Sequence, residues 1–216
     1  MRSRFRLAAA IVALLATILI ANPVAAASPW TVFHQSGTNA FASTSDCIEH
    51  VDGTVTCAGR SIDVFEGKLR TPGEPNRTTE QTCYSDYRET FDPVEGSLLE
   101  YHALFGCAFG AGTLRIDGLT TITLAPTTIE LTAIDCDSTG CTETPDGSTV
   151  VHGTWAGAGP TFSQKGRSKF DDGSCLQINA DRSKFRSASF EGSFDAMDAQ
   201  IHEGTFTFRT DCAFEH

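Results

Sequence analysis

DCIEHVDGTVTC, residues 46–57, reads as a β-hairpin that carries its own staple. Val51-Asp52-Gly53 makes a three-residue loop whose last position takes a left-handed backbone, which glycine adopts without steric cost. His50 and Thr54 close that loop as a hydrogen-bonded pair. Counting outward, Cys47 falls opposite Cys57 on a non-hydrogen-bonded site, where Cα atoms approach to about 4.5 Å, near the lower end of the disulfide range. The stretch therefore predicts antiparallel strands on both sides of residue 52 and a Cys47–Cys57 bridge.

The same turn grammar recurs at Phe170-Asp171-Asp172-Gly173-Ser174. It predicts a hairpin between residues 162–170 and 174–180, with Cys175 facing Lys169 and so pairing outside its own hairpin. Cys-Ala-Phe occurs at 107–109 and again at 212–214, each time ending an apolar strand-like segment. Each copy follows an earlier cysteine, Cys83 or Cys175. The pairings expected are Cys83–Cys107 and Cys175–Cys212, which leaves Cys136 with Cys141. The eight cysteines, an even count with no C-x-x-C pair and no histidine pair at ligand spacing, read as four disulfides rather than as a zinc site.

Period two governs the rest of the chain. Ile129, Leu131 and Ala133 alternate with Thr128, Glu130 and Thr132, and Thr205-Phe206-Thr207-Phe208 repeats the pattern. In residues 186–194 the even positions are mostly small or apolar and the odd ones polar. This is an antiparallel sheet with one wetted face. Eleven to thirteen such segments, about ten residues apart, give an all-β fold: an antiparallel sandwich or barrel, jelly-roll-like and disulfide-stapled. Asp137–Ser148 reads as a polar loop. Fifteen phenylalanines against three tyrosines fit a dry core better than a sugar-stacking surface.

The N-terminus addresses the chain for export. Arg2, Arg4 and Arg6 precede an apolar run over residues 7–21, and Ala25-Ala26-Ala27 supplies a signal-peptidase site. That run is shorter than the roughly 20 residues a membrane span takes. Residues 1–27 are expected to be a signal peptide and 28–216 a single all-β domain, secreted and long enough to bury about 70% of its unfolded surface. Cleavage removes three of the sixteen basic residues and no acidic one. Thirteen basic residues then face twenty-seven acidic ones, a net charge of −14. Such a polyanion repels nucleic acid and anionic membranes, so neither is expected as a partner.

DCDSTGC, residues 135–141, admits three readings. Aligned on a twelve-position calcium loop, Asp135, Asp137 and Thr139 take the first three ligand positions, Gly140 the turn, Glu143 the ninth and Asp146 the last. Against this, the last ligand is not glutamate, Thr142 stands at an apolar position, and a strand rather than a helix precedes it. A redox pair wants C-x-x-C spacing, which is absent. A Cys136–Cys141 staple closing a small ring, worth roughly 2 kcal/mol of loop entropy, is the preferred reading. Calcium held by Asp135, Asp137, Thr139, Glu143 and Asp146 is the alternative, and no other cofactor is implied.

Catalytic motifs are missing: there is no G-x-S-x-G, no P-loop and no H-E-x-x-H. Glu100, His102, His152, Glu191, Asp195 and His202 lie near strand segments, and two or more of them in one concavity would favour an enzyme. The function expected is a non-catalytic binding or interaction module. The alternatives are a secreted hydrolase using carboxylates or a triad from separate strands, and a lipocalin-like barrel enclosing an apolar ligand.

Overall fold

The structure, a computed structural model, describes residues 31–70, 75–110, 112–137, 139–171 and 176–210. Ten strands succeed one another: β1 Thr31–Glu49, β2 Val55–Arg70, β3 Arg77–Asp92, β4 Ser97–Phe109, β5 Leu114–Asp117, β6 Thr121–Asp137, β7 Gly140–Gly157, β8 Phe162–Asp171, β9 Leu176–Gly192 and β10 Asp198–Thr210. No helix occurs among the described residues. The expected signal segment, residues 1–27, and Cys175 and Cys212 lie outside them.

Sequential strands pair antiparallel in the order β1-β2-β3-β4-β6-β7-β9, and β10 pairs both β9 and β1. The sheet therefore closes into a ring of eight, with β5 added beside β6 and β8 beside β9. This is the order of a meander, not the crossed-over order of a jelly roll, and of the two architectures left open by the sequence it is the barrel. Closure removes the unpaired edges that an open sheet of this length would expose.

The ring is sealed at its waist. Ala40, Ala42, Ile62, Val64, Ile122, Leu124, Ile129, Leu131, Val151, Trp155, Ala199 and Ile201 are buried and form one cluster. They belong to strands on opposite sides of the ring, so they meet across its inside. That assigns the inner face of each strand: even positions on β1 and β2, for example, and Trp155 and Phe190 where β7 faces β9.

Strands are fewer and longer than expected because bulges absorb residues that look like breaks. Between Leu124 and Thr127 the β6–β7 register shifts, and the extra residue lies at Ala125-Pro126. Proline has no N–H for a ladder and sits readily at such a site. The shift flips the alternation, so Ile122 and Leu124 share the inner face with Ile129, Leu131 and Ala133. A second shift between Pro145 and Ser148 places Gly147 at φ 70°. Residues 140–148, read as loop, are thus the first half of β7.

The opening hairpin forms as expected. His50 N donates to Thr54 O at 2.8 Å, Gly53 has φ 87°, and Asp52 Oδ1 accepts from Thr54 N at 3.0 Å. Cys47–Cys57, Cys83–Cys107 and Cys136–Cys141 are bonded, each between directly facing residues. The hairpin at 170–174 differs. Asp171 faces Leu176 and Lys169 faces Ile178 rather than Cys175; residues 172–175 lie outside the described ones.

Candidate functional site

Above the waist the inner face changes character. One level up, Arg60 Nε donates to Asp86 Oδ2 at 2.8 Å. The next level is a row of direct cross-strand partners, Asp46, Ala58, Arg88, His102, Asp135 and Thr142. Within it His102 Nδ1 and Asp135 Oδ1 lie 2.6 Å apart, both side chains more than half exposed. Beyond them Thr90 and Glu100 form another facing pair. A concavity of about 750 Å³ opens there, lined by Arg88, Glu100, His102, Asp135, Asp137 and Thr142 among others.

This is the mouth of the barrel, and DCDSTGC forms its rim. The chain reverses between Asp137 and Gly140, which face each other, and Cys136 bonds Cys141 just below. Asp137 Oδ1 accepts from Thr139 Oγ1 and Thr139 N at 2.5 and 2.7 Å. Those bonds from the Thr139 hydroxyl and amide, in that order, with help from the Gly140 amide, hold the Asp137 carboxyl below its ordinary value.

Of the five residues aligned as calcium ligands, Asp135 and Asp137 share the inner face. Glu143 faces Ile134 and points outward, and Asp146 falls in the β7 bulge. No group of three metal-ligating side chains occurs among the described residues. The expected Cys136–Cys141 staple joins β6 to β7.

The dispersed acid–base candidates separate into two sets. Glu100 and His102 enter the mouth. His152, Glu191 and His202 stand on the outer face, where His202 stacks on Phe185 at 5.6 Å and burial lowers its pKa. Ser193 Oγ approaches His152 Nδ1 at 3.3 Å but also accepts from His152 N at 2.8 Å, so this hydroxyl ties the β9–β10 turn to β7. Asp195 lies in that turn.

Arg88 and Thr142 join the site without having been anticipated. Asp86, Arg88 and Thr90 alternate on β3, a visible signal for one polar inward face, but their meeting with Asp135 depends on the β4–β6 pairing. Arg88 and Glu100 have no hydrogen bond or ion pair among the described residues, and neither does His102 Nε2. The mouth thus offers a cation, a carboxylate and one imidazole nitrogen to solvent. Comparison with protein families, curated proteins and solved structures finds nothing that matches this chain.

Proposed function

We propose that this protein is an exported, non-catalytic binding module that takes a small polar ligand in the barrel mouth. One observation carries the reading: Arg88, Glu100 and the His102–Asp135 pair converge on one concavity while Arg88, Glu100 and Nε2 of His102 have no protein partner among the described residues. Its volume suits a small molecule. A ligand with an anionic group toward Arg88, a hydroxyl toward Nε2 of His102 and a donor toward Glu100 would satisfy all three. The three disulfides fit an oxidising compartment. The packed waist supports a polar occupant of the mouth over an apolar one inside the barrel. The test is a saturation-transfer NMR screen of the mature protein against sugars, amino acids and organic acids. Binding should weaken about tenfold or more in Arg88→Ala and Glu100→Gln, the scale of losing one charged hydrogen bond. Hits that both variants bind unchanged would rule out the mouth.

The hydrolase reading keeps one specific support. Asp135 orients His102 through Nδ1, leaving Nε2 positioned to take a proton from water. No hydroxyl bonds His102 among the described residues, so water would be the nucleophile. Turnover of nitrophenyl esters or glycosides that His102→Gln abolishes would replace the binding reading with this one.

A further inference from the structure

The charge that reads as −14 on average is segregated in the fold. Lys165, Arg167 and Lys169 alternate along β8, and Arg182, Lys184 and Arg186 alternate along β9. Lys165 faces Arg182, Ser163 faces Lys184, Arg167 faces Ala180 and Lys169 faces Ile178, with no register shift. All six basic side chains therefore leave the same face of one hairpin, on the continuation of the inner face past the waist at the end opposite the mouth. They are six of the thirteen basic residues beyond the signal segment. Arg209, facing Ile178 from β10, adds a seventh. The acids on this face of β8, β9 and β10 are Asp171, bonded to Lys169 at 3.3 Å, and Glu203, opposite Lys184.

Internal partners account for only part of the ladder. Lys165, Arg167, Arg182, Lys184 and Arg209 are exposed and have no hydrogen-bond or ion-pair partner among the described residues. Arg186 is used, donating to Gly159 O at 2.9 Å. Like charges directly opposite destabilise a sheet, and Lys165 faces Arg182, so a counter-charge from outside would relieve that pair.

We propose that this hairpin face docks a linear acidic polysaccharide. Three observations favour a linear polyanion over a compact ion or an anionic surface. Alternate residues on a strand are about 7 Å apart, so the ladder runs about 26 Å along β9 from residue 178 to 186. That shape follows a repeating chain of charges and does not converge on a compact ion. Phe162 and Phe170, 50% and 59% exposed, point from the opposite face of β8, whereas a bilayer surface favours aromatic and basic groups engaged together. The remainder of the molecule is strongly acidic, so an extended anionic surface repels it, while a single chain lying on the hairpin stays beyond the roughly 8 Å screening length from the acidic mouth. Arg167 and Arg182 have the planar fork that carboxylates accept in two parallel bonds.

The test uses the mature protein and polygalacturonate, followed by calorimetry at rising salt. Binding is expected at about 50 mM salt and should fall steeply and linearly on a log–log plot as counterions are no longer released to advantage. The double variant Arg167→Ser/Arg182→Ser, both at exposed sites, should bind about tenfold weaker or less, with unchanged unfolding. Arg115→Ser, on β5, should bind like the parent, and neutral dextran should not bind. Failure to bind polygalacturonate at low salt, or equal binding by the double variant, overturns the proposal. Tighter binding of polyglutamate, duplex DNA or phosphatidylglycerol vesicles also overturns it, by giving the face to that class.

Discussion

The waist and the ends of this barrel use the same face of the same strands for opposite purposes. On β6, Ile129, Leu131 and Ala133 point inward and are buried, while Asp135 and Asp137, continuing the same alternation, point into an open mouth. On β9, Phe190 and Ala188 pack against the core, and Arg186, Lys184 and Arg182 follow on the same face toward the other end. Strands of 13 to 19 residues, such as β1 and β10, outrun what one sealed layer needs. The excess length is where polar side chains gather, acidic with one histidine and two arginines above, basic below. Stability should therefore depend on the waist and ligand contact on the ends, and each variant below tests that division.

The largest effect is expected at Trp155. It is fully buried and stacks against Phe190 with centroids 4.8 Å apart. Trp155→Ala should cost about 3–5 kcal/mol in denaturant unfolding, from lost transfer energy plus the cavity left behind. Its indole N–H has no partner among the described residues, so Trp155→Phe discards an unsatisfied donor and should cost much less. A loss under about 1 kcal/mol for the alanine variant would mean the waist is not the seat of stability.

The disulfides come next and grade by loop length. Cys83–Cys107 spans 24 residues, Cys47–Cys57 spans 10 and Cys136–Cys141 spans 5. Paired Cys→Ser replacements should cost about 3.5, 3 and 2 kcal/mol in that order, because longer closed loops remove more entropy from the unfolded chain. The remaining pair is expected between Cys175 and Cys212: the β9–β10 register sets Gln177 opposite Thr210, each two residues from one of them. Peptide mapping under non-reducing conditions checks this, and a free thiol at either position contradicts it.

What was legible in the sequence was local. A turn of three residues sets the register of its own hairpin, so Cys47–Cys57 follows from Gly53 and counting. Cys136–Cys141 follows likewise from closeness. The hairpin near 172 misled because Asp171-Asp172-Gly173 has the same turn grammar, yet the strands pair Asp171 with Leu176, which moves every pairing. Pro126 and Pro145-Asp146-Gly147 look like strand ends, but in a barrel they are bulges that bend a strand without stopping it. The mouth was half legible: Asp135, Glu100 and His102 were singled out separately, but their meeting follows from β3–β4 and β4–β6 pairings between residues more than ten apart. The basic ladder was written openly in KGRSK and RSKFR. Net charge concealed it, because an average over the whole chain carries no geometry.

Asp63 tests the outer face of the waist. It faces Phe41 on β1 and Cys83 on β3, has no hydrogen-bond partner among the described residues, and desolvation pushes its carboxyl up to about 7. In the unfolded chain the group ionises near 3.9. As pH rises from about 4 to 7 the unfolded state loses this proton while the folded state keeps it, so stability falls across that window and the penalty is complete above it. As a residue Asp63 is half-buried, and solvent screening holds the effect to about 1–2 kcal/mol. Asp63→Asn should remove that part of the decline and be the more stable protein at pH 8. Parallel pH profiles for the two would show that Asp63 is solvated after all.

The smallest stability effect is expected in the mouth, and it is the sharpest check on the division between waist and ends. His102 and Asp135 are more than half exposed despite their 2.6 Å contact, and exposed ion pairs contribute roughly 0–1 kcal/mol. Asp135→Asn should leave unfolding within that range, since asparagine keeps an acceptor for the imidazole and the strand below is anchored by Ala133, Leu131 and Cys136–Cys141. It should nonetheless alter the site. With the carboxylate replaced by a neutral amide oxygen, a proton on Nδ1 is favoured less strongly, and nitrogen-detected NMR should show the neutral His102 tautomer ratio move toward Nε2–H. Ligand affinity should fall with it, because Nε2 then donates where it had accepted. A loss of stability well above 1 kcal/mol would place the mouth among the structural parts of the barrel. An unchanged tautomer together with unchanged binding would separate Asp135 from whatever the mouth holds.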